Sequence, residues 1–139
     1  MARALLDTGA IVALFNRDDP HHEAASRWFK GFRGQLLTTE AVVTETAYVL
    51  AASPAHRQAA LSWIARTRAA GLLRLEPVFD HAVVLKILDR YASLPCDYAD
   101  ATLIALAEIT GISVIATIDQ RDFSIYRLRG RKRFRILLP

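Results

Sequence analysis

The sequence predicts an α/β fold in which parallel strands are joined by crossover helices. Short runs with the character of β-strands alternate with longer segments of helical period, which is the pattern of strand–helix–strand units. The chain has 139 residues and shows no internal repeat, low-complexity tract or linker, so residues 1–139 are predicted to form one domain. The predicted strands comprise residues 4–6, 35–38, 72–75, 113–117 and 134–138.

The first two helices are predicted from turn residues and from apolar side chains that recur with helical period. The first helix follows Asp7-Thr8-Gly9 and runs to about Phe15, after which Asp18-Asp19-Pro20 breaks it. The second helix carries an apolar stripe at i, i+3, i+4 and i+7, which should face the sheet. The residues of this stripe are Ala25, Trp28, Phe29 and Phe32.

Four further helices are predicted by the same periodicity and by capping residues. The fourth begins at Ser53-Pro54, Asp80 caps the fifth, and the sixth covers residues 97–110 before Gly111. Glu45 is expected to point away from the buried face of the third helix. The predicted buried residues are Val43, Ala47 and Leu50 in the third, Leu61, Ile64 and Ala65 in the fourth, and Val84, Ile87, Leu88 and Tyr91 in the fifth.

The net charge of +4 is unevenly distributed along the chain. Residues 127–135 contain six basic residues and no acid, so the remainder, with 12 basic and 14 acidic residues, has a charge of −2. A basic strip of this kind can follow a phosphate backbone, and it can equally be a solvated edge strand with charged flanks. The candidate contacts to such a backbone are Arg127, Arg129, Arg131, Lys132 and Arg133, with Arg135 as the sixth basic residue.

The composition favours a cytoplasmic protein. No apolar run approaches the roughly 20 residues that a membrane span requires, and the N-terminus lacks the longer apolar stretch of a signal peptide. The single cysteine, Cys96, cannot form an internal disulfide, which agrees with a reducing compartment. Membrane association is therefore not expected.

Four acidic residues from distant segments are expected to meet at one edge of the sheet. Asp7 ends the first strand, Asp119 follows the strand at 113–117, and Asp100 lies in the first turn of the intervening helix. Glu45 lies on the helix that begins at the same edge. Open parallel sheets bind ligands at the carboxyl ends of their strands, so this edge is the predicted site.

Converging carboxylates repel one another, and such a cluster is unfavourable unless cations are present. The ligands are hard oxygens without a His or Cys pair at metal spacing, which favours Mg²⁺ or Mn²⁺ over zinc. A bound ion of this kind lowers the pKa of its water and offsets charge on a phosphoryl group, so the predicted reaction is phosphodiester hydrolysis.

Each acid also has a purely structural interpretation. Asp7 can cap the first helix, and Asp97 and Asp100 can favour a helix N-terminus through its dipole. Asp119 and Asp122 can be turn residues, and Glu45 alone would be a solvated helix residue. Only the joint placement of these acids indicates a site.

Five segments resemble PIN-domain ribonucleases of the VapC toxin type, in the same order along nearly the whole chain. They are LDTGAIVALF at 6–15, DPHHEAA at 19–25, Thr38-Thr39 running to Glu45, YADATLIALAE at 98–108 and ATIDQRDF at 116–123. The resemblance implies an α/β/α sandwich with a mainly parallel sheet and RNA cleavage that depends on Mg²⁺ or Mn²⁺. It also implies a homodimer and neutralisation by a partner antitoxin.

By position, the resemblance assigns the catalytic and metal-binding acids to Asp7, Glu45, Asp100 and Asp119. Four residues beside them are possible auxiliaries, namely Thr8, Asp97, Thr117 and Asp122. The two threonines match polar residues whose hydroxyls bond a ligating carboxylate or a metal water. Asp119 is favoured over Asp122 as the fourth ligand because it is nearer the strand end.

Three other functions compete with a toxin nuclease. An RNA-processing PIN nuclease without an antitoxin would share every residue named, whereas a non-catalytic RNA- or protein-binding PIN-like module would be expected to lack some of the four acids. A phosphatase would use Asp7 as a covalent nucleophile. The common phosphatase pattern places a second Asp two residues later, and Gly9 occupies that place.

Overall fold

The computed structural model describes residues 2–139, which form a central sheet flanked by helices. The strands are β1 (Ala2–Leu6), β2 (Gly34–Thr39), β3 (Leu73–Glu76), β4 (Val114–Ala116), β5 (Arg127–Leu128), β6 (Lys132–Arg133) and β7 (Arg135–Ile136). The helices are α1 (Thr8–Phe15), α2 (His22–Gly31), α3 (Glu40–Val49), α4 (Pro54–Ala69), α5 (His81–Arg90), α6 (Tyr98–Thr110) and α7 (Gln120–Phe123).

The main sheet has five strands in the order β3-β2-β1-β4-β7, and every neighbouring pair is parallel. β1 lies at its centre, where Leu5 pairs with Leu37 on one side and with Ile115 on the other. Residues 4–6 of this strand are fully buried. The predicted α/β fold with a central parallel sheet is confirmed, and Asp7, the residue after β1, is placed at the carboxyl edge.

The basic tail differs from the predicted single strand. Residues 134–138 contribute only the short β7, and β5 and β6 form a separate antiparallel hairpin. The hairpin turns at Arg129 and Gly130, which both have positive φ, and the carboxylate of Glu108 accepts a hydrogen bond from the Arg129 amide. Two consecutive residues with positive φ are typical of tight hairpin turns. The number of basic residues in this segment did not indicate the turn at Arg129 and Gly130.

The buried faces of α3 and α4 were predicted only in part: Leu50 and Ile64 are buried as predicted and Val43 packs against the core, but other positions differ. In α3 the buried residues are Val42 and Thr46, with Leu50 at the C-cap, whereas the predicted Val43 and Ala47 are only partly buried. In α4 they are Ala60, Trp63, Ile64 and Thr67, whereas the predicted Leu61 and Ala65 are exposed.

The physical reason is the same in both helices. The hydroxyls of Thr46 and Thr67 donate to carbonyls of their own helix, at Val42 and Trp63, so each threonine enters the core without an unpaired polar atom. A pattern of apolar residues alone misses such positions. In α2 and α5 the predicted faces are correct, since Ala25, Val84, Ile87 and Tyr91 are buried and their predicted partners pack against the core.

The middle of the fold is occupied by α6. Its residues 99–107 are all buried, including the charged Asp100 near its start. At its end, Gly111 adopts a positive φ of 74° and closes the helix as predicted. Within residues 2–139, no helix has both the length and the apolar character needed to cross a membrane.

We predict that Gly34→Ala destabilises the protein. A β-carbon at Gly34 would overlap the carbonyl oxygen of Ala2 and lie 2.8 Å from its carbonyl carbon, where the neighbouring backbone leaves no room. Overpacking of this kind costs about 1–3 kcal/mol. Gly31→Ala is the matched control, because nothing lies within 4 Å of its added β-carbon. Thermal unfolding should show a lower midpoint for Gly34→Ala alone, and equal midpoints would contradict the prediction.

Candidate active site

The structure brings all the predicted acidic residues around one cavity of about 430 Å³ at the carboxyl edge of the sheet. Its acidic lining residues are Asp7, Asp19, Glu45, Asp97, Asp100, Asp119 and Asp122. Asp7 follows β1, Asp119 follows β4 and Asp100 lies in the first turn of α6. Asp19, which lies within the DPHHEAA segment and precedes α2, is an additional acid that was not among the predicted site residues.

Asp7 is held by hydrogen bonds to both carboxylate oxygens. The amide of Thr8 donates to Oδ1 at 2.8 Å, and the hydroxyl of Thr117 donates to Oδ2 at 2.7 Å. The Thr117 hydroxyl also accepts a hydrogen bond from the Asp119 amide at 3.0 Å, so it connects two of the predicted acids. Burial raises the pKa of Asp7 to about 6, although the hydrogen bonds from Thr117 and Thr8 act against this shift.

Asp100 is fixed by a residue that the sequence analysis missed. The hydroxyl of the fully buried Tyr126 donates to Oδ2 of Asp100 at 3.1 Å, and Oδ1 of Asp97 accepts from the Asp100 amide at 2.8 Å. Burial raises the pKa of Asp100 to about 8, and the charges of Asp7 and Asp97 add to the rise. Nothing in the local sequence pairs Tyr126 with Asp100, because 26 residues separate them.

Glu45 approaches the cavity from α3, beside Thr8. Burial raises the pKa of Glu45 to about 7; the Thr8 hydroxyl nearby lowers it, and Asp97 raises it further. The Thr8 hydroxyl is buried and makes no hydrogen bond to another residue among residues 2–139. An unpaired buried hydroxyl next to carboxylates is a position at which a bound ligand or its water would supply the missing partner.

Asp119 and Asp122 form a local pair at the start of α7. Asp119 is the N-cap residue, and its Oδ1 accepts from the Asp122 amide at 2.9 Å. The pKa of Asp122 is raised by slight burial and then by the charge of Asp119. Both residues line the cavity, so the capping role of Asp119 coexists with its position in the acidic cluster.

The donor set of the cavity suits a hard divalent cation. Its acidic side chains offer carboxylate oxygens, and its lining includes neither histidine nor cysteine. Within residues 2–139, however, no three acidic, histidine or cysteine side chains stand close enough to hold one ion by themselves. Mg²⁺ in proteins is commonly bound by one or two carboxylates together with waters and substrate phosphates, so the arrangement remains compatible with it.

The basic residues of the tail lie outside this cavity. The guanidinium of Arg127 donates to the carbonyls of Ser124, Ile125 and Tyr126, so it stabilises the local backbone. The Arg129 guanidinium donates to the carbonyl of Glu108. The remaining residues of the predicted RNA-contact set, Arg131, Lys132 and Arg133, have exposed side chains.

Comparison with known proteins identifies the family. The family model described as PIN domain matches residues 4–129, which is most of the chain. The chain belongs to the PIN-domain family. The match ends at Arg129, so residues 130–139, including β6 and β7, lie outside the matched part of this PIN domain.

Two mycobacterial proteins are similar to this PIN domain over most of its length. Ribonuclease VapC26 of Mycobacterium tuberculosis (strain ATCC 25618 / H37Rv) is 29% identical over 135 residues, which cover 96% of this chain and 98% of the relative. The crystal structure of Mycobacterium tuberculosis VapC20, described as a Sarcin-Ricin loop cleaving toxin, superimposes with a TM-score of 0.73 at 24% identity. That superposition covers 86% of this chain and 92% of VapC20, and it shows the shared fold.

We predict that Asp100→Asn stabilises the metal-free protein at alkaline pH. A carboxyl group whose folded pKa is raised contributes stability that is present below its unfolded pKa, near 4, and is lost as the pH rises through the folded value of about 8. Asparagine is neutral throughout and can still accept the hydrogen bond from Tyr126. In EDTA, the thermal midpoint of the variant should exceed that of the wild type by about 5 °C at pH 9 and match it at pH 4.

Asp89→Asn serves as the control for this comparison, because Asp89 is exposed on α5. Its midpoint should follow that of the wild type at both pH values. The prediction concerns the difference in thermal midpoint between Asp100→Asn and the wild type. If this difference is no larger at pH 9 than at pH 4, the prediction is contradicted.

Proposed function

We propose that this protein is a metal-dependent endoribonuclease that acts as the toxin of a type II toxin–antitoxin pair. The observation that carries the proposal is the meeting of Asp7, Glu45, Asp100 and Asp119, from four distant segments of a PIN domain, at one cavity. A cluster whose members raise one another's pKa values has no evident structural benefit. Its cost is consistent with a site that binds cations.

Mg²⁺ or Mn²⁺ is the proposed cofactor, held by carboxylates of Asp7 and Asp100 with Glu45 and Asp119 beside them. The donor chemistry, the mutual repulsion of the acids and the unpaired hydroxyl of Thr8 support this assignment. When bound, such an ion lowers the pKa of a water molecule and offsets the negative charge that builds up on a phosphate during hydrolysis.

The side chains of this chain have separable roles in that reaction. Asp7 is kept in one orientation by Thr117 and Thr8, and Tyr126 does the same for Asp100, so the acids are preorganised. Asp97 caps α6 and holds the amide of Asp100, which fixes the first helical turn at the cavity. Asp119, and Asp122 as an assistant, complete the negative rim. No histidine is assigned as a general base, because none lines the cavity.

The two similar proteins support neutralisation by an antitoxin. Both are named as VapC proteins, one as a ribonuclease and the other as a toxin, and the alignment with VapC26 spans nearly both chains. We propose a cytoplasmic homodimer that is neutralised by a cognate antitoxin. An antitoxin with an arginine aimed at the acidic cavity would suit this site, since a guanidinium pairs with carboxylates and would displace a metal ion.

The phosphatase alternative is less well supported. Both carboxylate oxygens of Asp7 accept hydrogen bonds, which lowers their nucleophilicity toward a phosphate. Detection of an aspartyl-phosphate on Asp7 would nevertheless revive that function.

We predict that Asp7→Asn and Asp100→Asn each abolish RNA cleavage while the fold persists. Each change removes one charge from the cluster and little packing, so the expected loss of rate is about 100-fold or more. The assay compares purified wild type and variants on a single-stranded RNA with Mg²⁺, Mn²⁺ or EDTA. Asp119→Asn should lose more activity than Asp122→Asn if Asp119 is the fourth ligand.

Asp89→Asn, which alters an exposed acid remote from the cavity, should cut RNA at the wild-type rate. Full activity of either Asp7→Asn or Asp100→Asn, or unchanged cleavage in EDTA, would refute the proposed mechanism.

We predict that Tyr126→Phe raises the metal concentration needed for half-maximal cleavage by about ten-fold, because Asp100 loses the hydrogen bond that orients it. The rate at saturating metal should change much less, since every carboxylate remains. Tyr98→Phe is the control, because Tyr98 is half-exposed and does not contact Asp100 through its hydroxyl. Equal metal requirements of the two variants would remove Tyr126 from the site.

A further inference from the structure

A second cavity, of about 590 Å³, lies at the opposite end of the sheet from the acidic cluster. It is bounded by the beginnings of β1 and β4, by β7 and by the last turns of α2. Four arginines line it, and its lining includes no acidic residue. We call this the arginine cavity, and its four arginines are Arg3, Arg27, Arg33 and Arg135.

The four arginines meet because of the strand register and the path of α2. Arg3 is the second residue of β1, and Arg135 pairs with Val114, the first residue of β4. α2 packs mainly on α1, and it carries Arg27 and leads to Arg33 directly before β2. Arginines from three separate parts of the chain therefore share the amino-terminal edge of the sheet.

The charges of the arginine cavity are not compensated by neighbouring acids. In the part of the chain that the structure describes, the ion pairs are Arg74–Glu76 and Arg90–Glu108, and neither includes one of the four. The Arg33 guanidinium donates to the carbonyls of Lys30 and Phe32, which orients it without neutralising it. Four like charges around one cavity repel each other, so an occupant with several negative charges is favoured.

Exposed basic residues precede the arginine cavity's Arg135 in the chain. The exposed side chains of Arg131, Lys132 and Arg133 precede Arg135 by only a few residues. The hairpin that carries them begins directly after Tyr126, whose hydroxyl contacts Asp100. The turn of this hairpin at Arg129 is held by Glu108, near the end of α6, so these side chains add positive charge to the part of the chain that leads to Arg135.

We propose that the arginine cavity binds phosphates of a single-stranded RNA whose other segment occupies the acidic cavity. This inference rests on the proposed ribonuclease function and adds a second contact, remote from the cleaved bond. Guanidinium groups pair with phosphate oxygens in a bidentate manner. Trp28 and Phe32, which also line the cavity, offer aromatic surfaces for the unstacked bases of a single strand.

The proposal predicts a dependence on RNA length. Arg3 and Asp7 are separated by four residue steps of β1, or about 13 Å along the strand, and the route over the surface is longer. Even a strand stretched to about twice the stacked rise of about 3.4 Å per nucleotide spans only about 14 Å over the two steps of a trinucleotide, so a trinucleotide in the acidic cavity does not cover the longer surface route to the arginines. An RNA of 20 nucleotides does.

The experiment measures binding of fluorescently labelled RNA by anisotropy over a range of salt concentrations, in Ca²⁺, a divalent ion that carboxylate oxygens bind and that would neutralise the acidic cavity. The test variant is Arg27→Ala/Arg135→Ala, with Arg27→Ala alone as a milder second variant. We expect the double variant to bind the 20-nucleotide RNA about ten-fold more weakly at low salt. The slope of log affinity against log salt should fall by about 1.4, since each lost phosphate contact on a single strand contributes about 0.7. Trinucleotide binding should not change.

The matched control is Arg68→Ala/Lys86→Ala, which removes two exposed positive charges from α4 and α5 outside the arginine cavity. An equal loss in the control, or an unchanged salt slope in the test variant, would overturn the proposal. Displacement of the long RNA from the wild type by a few millimolar inorganic phosphate would also overturn it, because the cavity would then be a small-anion site. Binding is measured independently of cleavage, so a wild type that never cuts RNA refutes the nuclease function separately.

Discussion

The parallel pairing of β1 with β4 determines the geometry of the acidic site. It places the Asp7 amide 3.0 Å from the Ala116 carbonyl and brings the Thr117 hydroxyl to the Asp7 carboxylate. Thr117 in turn holds the amide of Asp119. Because residues 7 and 119 are separated by most of the chain, only this strand pairing can fix their separation, and a shift in its register would move every contact of Thr117.

The acidic cluster is a local cost that the rest of the fold sustains. Burial and mutual repulsion raise the pKa values of Asp7, Glu45 and Asp100 to between about 6 and about 8, so near neutral pH part of the cluster is protonated unless a cation is bound. The elements that carry these acids are well packed, since residues 4–6 of β1 and residues 99–107 of α6 are buried. Close packing of this kind prevents the carboxylates from moving apart to relieve their repulsion.

Charge is separated along the molecule in the same direction as the strands. Acidic side chains gather at the carboxyl edge of the sheet, and arginines gather at the amino edge. The end of the basic tail joins the sheet as β7, which pairs with β4. A polyanion that approaches this surface is repelled from the acidic cavity unless cations occupy it, and it is attracted by the arginines and the tail. Binding and chemistry can therefore reside at different ends of the domain.

The sequence by itself determined the α/β class, the first four strands to within about two residues, and six of the seven acids that line the cavity, all but Asp19. It did so because strand–helix alternation and residues at strand ends are local properties, and parallel strands collect their carboxyl ends at one edge. The PIN-type motifs at Asp7, Asp100 and Asp119 are likewise contiguous in the chain. The prediction of the basic strip was compositional, and it contained no information about the turn at Arg129 and Gly130.

Only the tertiary structure decided which residues support the acids and where the arginines meet. Tyr126 contacts Asp100, and Arg135 joins Arg27 at one cavity, through packing between segments that carry no local pattern. The buried faces of α3 and α4 also depended on tertiary context, because Thr46 and Thr67 satisfy their hydroxyls within the helix and enter the core. Contacts of this kind arise from the relative positions of distant elements, which no window of the sequence contains.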